Sequence, residues 1–406
     1  MKATILLALL ALFSPSLFSQ EDSIATSFNG MVMDADSGEP VPYATIACPG
    51  CYNGGAITNG AGQFEIWPKG YGVAINISHI LYEDYALNLT DPAKIVQVKL
   101  SPAKIELPLV EVNGSKGLRF LSGALGKLKS TSGIFFKGRG YYRQTSQVDD
   151  RYTSLLESFI DVGLSSEGVM RWEMETGRFA ISPGDGWMNI YNFSVYTRKI
   201  KTFVEAYEKG RAGYPLNMEL QKFYAVDVEK YLKSQNRTIA IINCFPQDGA
   251  PEGSYSAKVY VDTTTLDLLE FTILSAGDLE LTFDKDKVST SNEVHEVTYR
   301  MKRSSDNSSL VPASISSVIT LDAVWLELDK TSSNEVRSTF VVLEEMPTRR
   351  LGKDRSDGES DYDLIRKIKY KPRFWRKYPV LKNTPLEVQM IEDFEKNKYF
   401  GTASFD

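Results

Sequence analysis

Apolar and polar residues alternate at every second position in short runs along most of this chain, and Gly, Pro, Asn and Asp break the runs apart. A period of two puts successive side chains on opposite faces of a strand, so each run offers one face to a core and one to solvent. In the first part of the chain the runs fall at 28–33, 40–46, 55–66, 73–80 and 94–100. Turn signals recur there about every ten residues, as in a compact all-β sandwich. Further on, Ala257/Val259/Val261, Leu279/Leu281/Phe283, Val297/Tyr299/Met301 and Val336/Ser338/Phe340 repeat the pattern. Short turns with no helices between them predict an antiparallel sheet. The fold class is mainly β: a small sandwich followed by a larger antiparallel domain with a few helices.

Within 27–112, Gly30, Asp34, Gly38, Pro40, Pro42-Tyr43-Ala44, Thr58-Asn59, Gly62, Phe64 and Ser78 through Tyr82-Glu83 form a set. Together they resemble the carboxypeptidase regulatory-like domain, a transthyretin-like β-sandwich. Gly30 and Gly62 suit tight backbone turns, and Asp34 with Gly38 suits a hairpin loop. The resemblance implies an accessory module and none of the zinc chemistry of the carboxypeptidases. The chain has two histidines, His79 and His295, far apart and without metal-ligand spacing. Alternation places His295 on the face of Val297, Tyr299 and Met301, as a hydrogen-bonded core histidine.

Cys48-Pro49-Gly50-Cys51 departs from that family's pattern. Pro then Gly at the centre of four residues predicts a type II turn, which brings its ends within about 7 Å, near disulfide range. A structural disulfide between Cys48 and Cys51 is expected. Cys244, in an apolar run, is expected to be a buried free thiol.

Lys2, the apolar run from Ile5 to Phe13, Pro15 and a small residue at Ser19 make 1–19 an export signal. No later apolar run reaches membrane-spanning length, so the expected location is the periplasm or the outer-membrane face. A net charge of −6 gives no reason to expect nucleic acid as a partner.

Residues 113–133 read as a linker and then a helix over 118–129, and strands are expected over 134–348. Helical spacing also predicts a helix at 225–233. The mixed charges of 349–363 predict a mobile loop, and 364–406 a docking tail whose last helix covers 387–397. Tyr141-Tyr142-Arg143 with 157–161, Tyr260 to Asp262, and Phe374-Trp375 near Tyr378 resemble exported Gram-negative envelope proteins in which the sandwich precedes a large β domain. Some such domains are curved half-barrels like those of lipoprotein carriers, and that resemblance implies a concave face for acyl chains.

In the tail, Arg373, Arg376 and Lys377 interleave with Phe374 and Trp375. The group offers an interaction surface for an anionic lipid or glycan, or else aromatics that pack on the β domain while the charges face water. No nucleophile elbow, metal cluster or phosphate loop is present, so no cofactor and no enzymatic activity are expected. The leading expectation is a non-catalytic envelope protein that binds an envelope protein, glycan or lipid through the sandwich. The first alternative is an apolar-ligand carrier. The second is a protein associated with TonB-dependent receptors, because Leu109 to Gly114 resembles the join to a receptor plug. The chain is too short to hold the receptor's own barrel.

Overall fold

The structure is a computed structural model that describes residues 27–52, 54–70, 72–91, 94–107, 115–183, 193–198, 215–234, 237–276, 287–353, 358–375 and 381–401. The expected export signal, the 109–114 segment, the alternating run Leu279/Leu281/Phe283, and Arg376 and Lys377 lie outside the described residues.

Two small sheets open the chain. One joins β1 (Phe28–Asp34) to β4 (Gln63–Ile66) and, in parallel, to β7 (Val96–Leu100). The other runs β3 (Gly55–Ile57), β2 (Thr45–Ala47), β5 (Val73–Ser78), β6 (Tyr85–Leu89). Phe28, Val32, Ile46, Phe64, Ile75, Ile77 and Val98 close the core between them. Gly30 lies inside β1 and not in a turn: a Cβ there would sit 2.3 Å from the Phe64 ring. Its role is close approach. Gly62, at φ +69°, does occupy a turn. Cys48 and Cys51 are joined by a disulfide and both are buried in this core.

The chain leaves the sandwich at Ala103. β8 (Lys104–Glu106), inside the stretch expected to belong to the sandwich, pairs instead with the large sheet. α1 (Ser115–Ser130) follows, close to its expected place. Then come β9 (Phe135–Val148), β10 (Arg151–Ser165), β11 (Gly168–Ile181), α2 (Val195–Arg198) and β12 (Tyr224–Ser234). β13 (Arg237–Pro246), β14 (Ser256–Asp262), β15 (Leu268–Ala276), β16 (Val288–Arg303), β17 (Leu310–Trp325) and β18 (Lys330–Thr348) complete an antiparallel meander. The tail carries α3 (Asp361–Arg366), α4 (Pro372–Trp375) and α5 (Pro385–Lys396).

The expected helix at 225–233 is therefore a strand. A bulge between Val228 and Lys230 shifts the alternation by one residue, and this gave the apolar positions a helical spacing. The ladder with β13 satisfies the backbone and overrides local preference.

Eleven strands form one sheet in the order β11-β10-β9-β18-β17-β16-β15-β14-β13-β12-β8. β18 returns to pair with β9, yet the edge strands β11 and β8 do not pair with each other, so the sheet stays open between its two edges. It is strongly curled. Trp172 of β11 and Phe340 of β18 have ring centroids 5.2 Å apart although β10 and β9 lie between them. In a flat sheet, three strand spacings would separate them by about 14 Å. β11 likewise comes within 8 Å of β17 across the same hollow. The concave face is the one that carries Trp172 and Phe340, and it holds the main core.

Candidate functional site

Three places gather chemistry-bearing residues: the hollow of the large sheet, its convex face under the tail, and the cleft between that face and the sandwich.

The hollow is lined by apolar side chains from every strand between β9 and β18, among them Tyr142, Ile160, Trp172, Ile242, Val259, Phe271, Tyr299 and Ile315. α1 lies across β12 to β15 and fills it with Leu121, Ala124, Leu125 and Leu128. The helix is held at its margins by few polar contacts. Lys127 Nζ reaches Asp267 Oδ1 at 2.6 Å, Ser122 Oγ donates to Gln221 at 2.9 Å, and Ser166 Oγ donates to the Leu128 carbonyl at 2.6 Å. Gly123 sits against the Leu266 side chain of the β14–β15 turn, where a Cβ would come to 2.9 Å. His295 is buried here, as its alternation predicted. Its Nε2 is 3.1 Å from Ser317 Oγ, and burial lowers its pKa to about 4. Cys244 is also buried in this core, and burial raises its thiol to about 12. At the rim, fully buried Asp361 opens α3 and accepts from the Ser194 backbone at 2.8 Å. This end of the stretch expected as a mobile loop is thus tied down.

On the convex face, Arg143, Glu157 and Arg178 stand directly opposite one another on β9, β10 and β11. Glu157 is 1% exposed and takes Arg143 Nη2 at 2.6 Å and Arg178 Nε at 2.5 Å, while Tyr141 OH donates to the same carboxylate. Burial alone would raise its pKa, but the two guanidinium groups overcome that and hold it at about 2. The quoted resemblance at Tyr141 to Arg143 and at Glu157 thus folds into one neutralised network.

The tail straps across this network. Trp375 is buried against Phe159 and Tyr141, half-buried Phe374 meets the Phe159 ring edge-on at 5.5 Å, and Arg373 is exposed. Met390, Phe394 and Phe400 cover Leu155 and Ala180. Thr384 and Glu387 form a capping box at the start of α5, and Glu387 Oε1 also sits 3.3 Å from Arg143 Nη1. The strap then meets the sandwich: Ile57 bridges to Leu381, and Asn59 Nδ2 donates to the Lys382 carbonyl at 3.2 Å.

The cleft has Tyr43 at its centre, a residue with φ +60°. One side is a cavity of about 280 Å³ in which Arg143, Arg337 and Lys382 already have partners in Glu387, Glu335 and Asn29. The other is a cavity of about 250 Å³ lined by His79, Arg237, Glu270, Arg300 and Lys302. Sequence reasoning missed this set. Its only trace is the alternation on β16, which puts Arg300 and Lys302 on the face opposite Tyr299 and Met301.

Among the described residues no helix is long and apolar enough to cross a membrane. No family model and no curated protein matches the chain. Solved structures similar to it include a DUF1329 family protein from Desulfovibrio piger, at 7% identity and a TM-score of 0.27, covering 59% of this chain and 95% of that one. A LolA superfamily protein from Nitrosomonas europaea is similar at 10% identity and a TM-score of 0.25, covering 58% and 94%. At those scores neither likeness defines the class of this chain, which rests on its own strand order: an open, curled, antiparallel meander plugged by a helix.

Proposed function

We propose that this chain is an exported binding protein that carries an apolar molecule in the hollow of the large sheet, with α1 as the segment that gives way. The observation that carries this reading is the hollow itself. It is apolar across its strands, open between the edge strands β11 and β8, and closed over β12–β15 by one helix with few polar ties. Burying the three leucines of α1 is worth roughly 5–9 kcal/mol, and an acyl chain returns about 0.8 kcal/mol per buried methylene, so about six to eleven methylenes match the loss. The sandwich, by its resemblance to the carboxypeptidase regulatory-like domain, serves as the docking module for an envelope partner.

Complete burial of Leu121, Ala124 and Leu125 favours a second reading, a scaffold whose interior never opens. A reversible lock separates the two. With Gly123→Cys and Leu266→Cys joined by a disulfide, a fluorescent long-chain fatty acid should fail to bind. After reduction it should bind as it does to the unaltered chain. Absence of saturable binding to the unaltered chain, or equal binding to the locked form, would overturn the carrier reading.

A further inference from the structure

We propose that the cleft between the sandwich and the convex face of the large sheet is a phosphate-binding site, built from Arg237, Arg300 and Lys302 around the Tyr43 ring. It lies on the face opposite the hollow and is independent of any ligand held there.

The case begins with charge. Three cations face the 250 Å³ cavity, and Glu270 is the one buried carboxylate among its lining residues, with Asp84 exposed at the rim. Arg237 is half-buried at the start of β13 and has no carboxylate partner among the described residues. Lys302 has one carboxylate within ion-pair range among the described residues, Glu345 at 3.8 Å. Arg300 Nε is paired with Glu270 at 3.1 Å, and its Nη1 is buried without a hydrogen-bond partner. Buried charged donors left in this way are costly, and an oxyanion that reaches them removes the cost. Against Glu270 and the exposed Asp84, the three cations leave the lining with a positive excess, which suits an anion such as a phosphate group.

Geometry supports the same assignment. The Arg300 guanidinium lies over the Tyr43 ring at 5.1 Å, which fixes the plane of its fork. Tyr43 holds a left-handed backbone that is unusual for a bulky residue, and such strain persists only where the surroundings demand it. Its backbone N–H donates to the Thr58 carbonyl at 3.0 Å, so the ring is presented from a fixed loop. Across the ring, the cations of the second cavity are each engaged, Arg143 by Glu157 and Glu387, Arg337 by Glu335 and Lys382 by Asn29. Burial and then the charge of Arg300 lower the His79 pKa to about 4, so His79 is neutral at physiological pH and can donate a hydrogen bond without adding charge.

The phosphate can belong to a free small molecule or to a lipid head group. The test uses the full chain with inorganic phosphate and, separately, dihexanoyl phosphatidic acid, each read by thermal melting and calorimetry against chloride at matched ionic strength. A saturable rise in Tm with phosphate and none with chloride is expected. Arg237→Gln should weaken binding at least tenfold without lowering the Tm of the free protein, and Lys302→Gln should weaken it by a similar factor. Tighter binding of phosphatidic acid than of phosphate identifies a lipid head group, and the reverse order identifies a free ligand. No saturable response to either, or a response that Arg237→Gln leaves unchanged, would overturn the site.

Discussion

Arg178 and Glu157 face each other across the β11–β10 ladder, and the same Arg178 guanidinium lies 5.0 Å from the Trp375 ring and 5.1 Å from that of Phe400. A single side chain thereby joins a buried ion pair in the sheet to the aromatic residues of the tail. The charge is neutralised from below by Glu157 and covered from above by the strap.

Glu157→Gln takes the shared carboxylate from two buried guanidinium groups, leaving Arg143 with the Glu387 carboxylate alone. Breaking a buried pair from one side costs about 3–5 kcal/mol. A loss of that size is expected in urea unfolding. The acid behaviour follows from a pKa of about 2 in the folded chain. Glu157's contribution is complete above its ordinary value of about 4.3 and is lost as pH falls from there through 2. An unchanged urea midpoint for Glu157→Gln at pH 7 would contradict this.

Trp375→Ala should cost about 3–5 kcal/mol, because the ring is buried against Phe159 and Tyr141. Arg373→Ala, at an exposed neighbour, should stay within about 0.5 kcal/mol. Thermal melts of the two variants give the comparison. If the segment served instead as a membrane surface, Trp375→Ala would melt normally and Arg373→Ala would lose salt-sensitive binding to anionic vesicles.

The two histidines predict a second acid window. Burial holds His295 at about 4, below the ordinary imidazole value of about 6.5, so the unfolded chain takes up the proton first. Its contribution is fully present above pH about 6.5 and is lost as pH falls to about 4, an effect on the order of 2–3 kcal/mol. His79 acts in the same direction. Stability measured by urea unfolding between pH 7 and 4 should fall less steeply in His295→Gln than in the unaltered chain. Parallel profiles would refute the assignment.

Two glycines of α1 should respond in opposite senses. A Cβ at Gly117 would come within 2.6 Å of the Val226 carbonyl on β12, where backbone cannot yield, so Gly117→Ala lifts the start of the helix. The expected cost is about 1–3 kcal/mol, with faster hydrogen exchange over Leu121 to Leu128. At Gly126 nothing lies within 4 Å of the added Cβ, and Gly126→Ala should stabilise by up to about 1 kcal/mol. On the carrier reading, Gly117→Ala also raises affinity for the fatty acid.

Much of this architecture was written locally. The alternation at 297–301 sets which face of β16 is buried. The Pro-Gly centre of 48–51 brings its cysteines together, and the leucines of α1 mark a helix with one apolar stripe. Each depends on residues within one turn or one strand, where backbone geometry fixes the period. The last helix, expected from 387, begins instead at Pro385, where Thr384 and Glu387 form a cap that needs only neighbouring residues.

Other features needed the chain to close on itself. The bulge in β12 became visible only against β13, since a one-residue shift has meaning relative to a partner strand. The curl that brings Trp172 to Phe340 depends on β18 pairing with β9 across roughly half of the sequence. The meeting of Tyr43 with Arg300 depends on how the sandwich seats on the sheet. By itself the sequence determined strands, a disulfide turn and the faces to be buried, because those are properties of backbone period and side-chain polarity. What covers each face, and which charges are left to share a cavity, only the tertiary structure decided. Those contacts join residues that no local pattern links, and they form only when the whole sheet excludes water together.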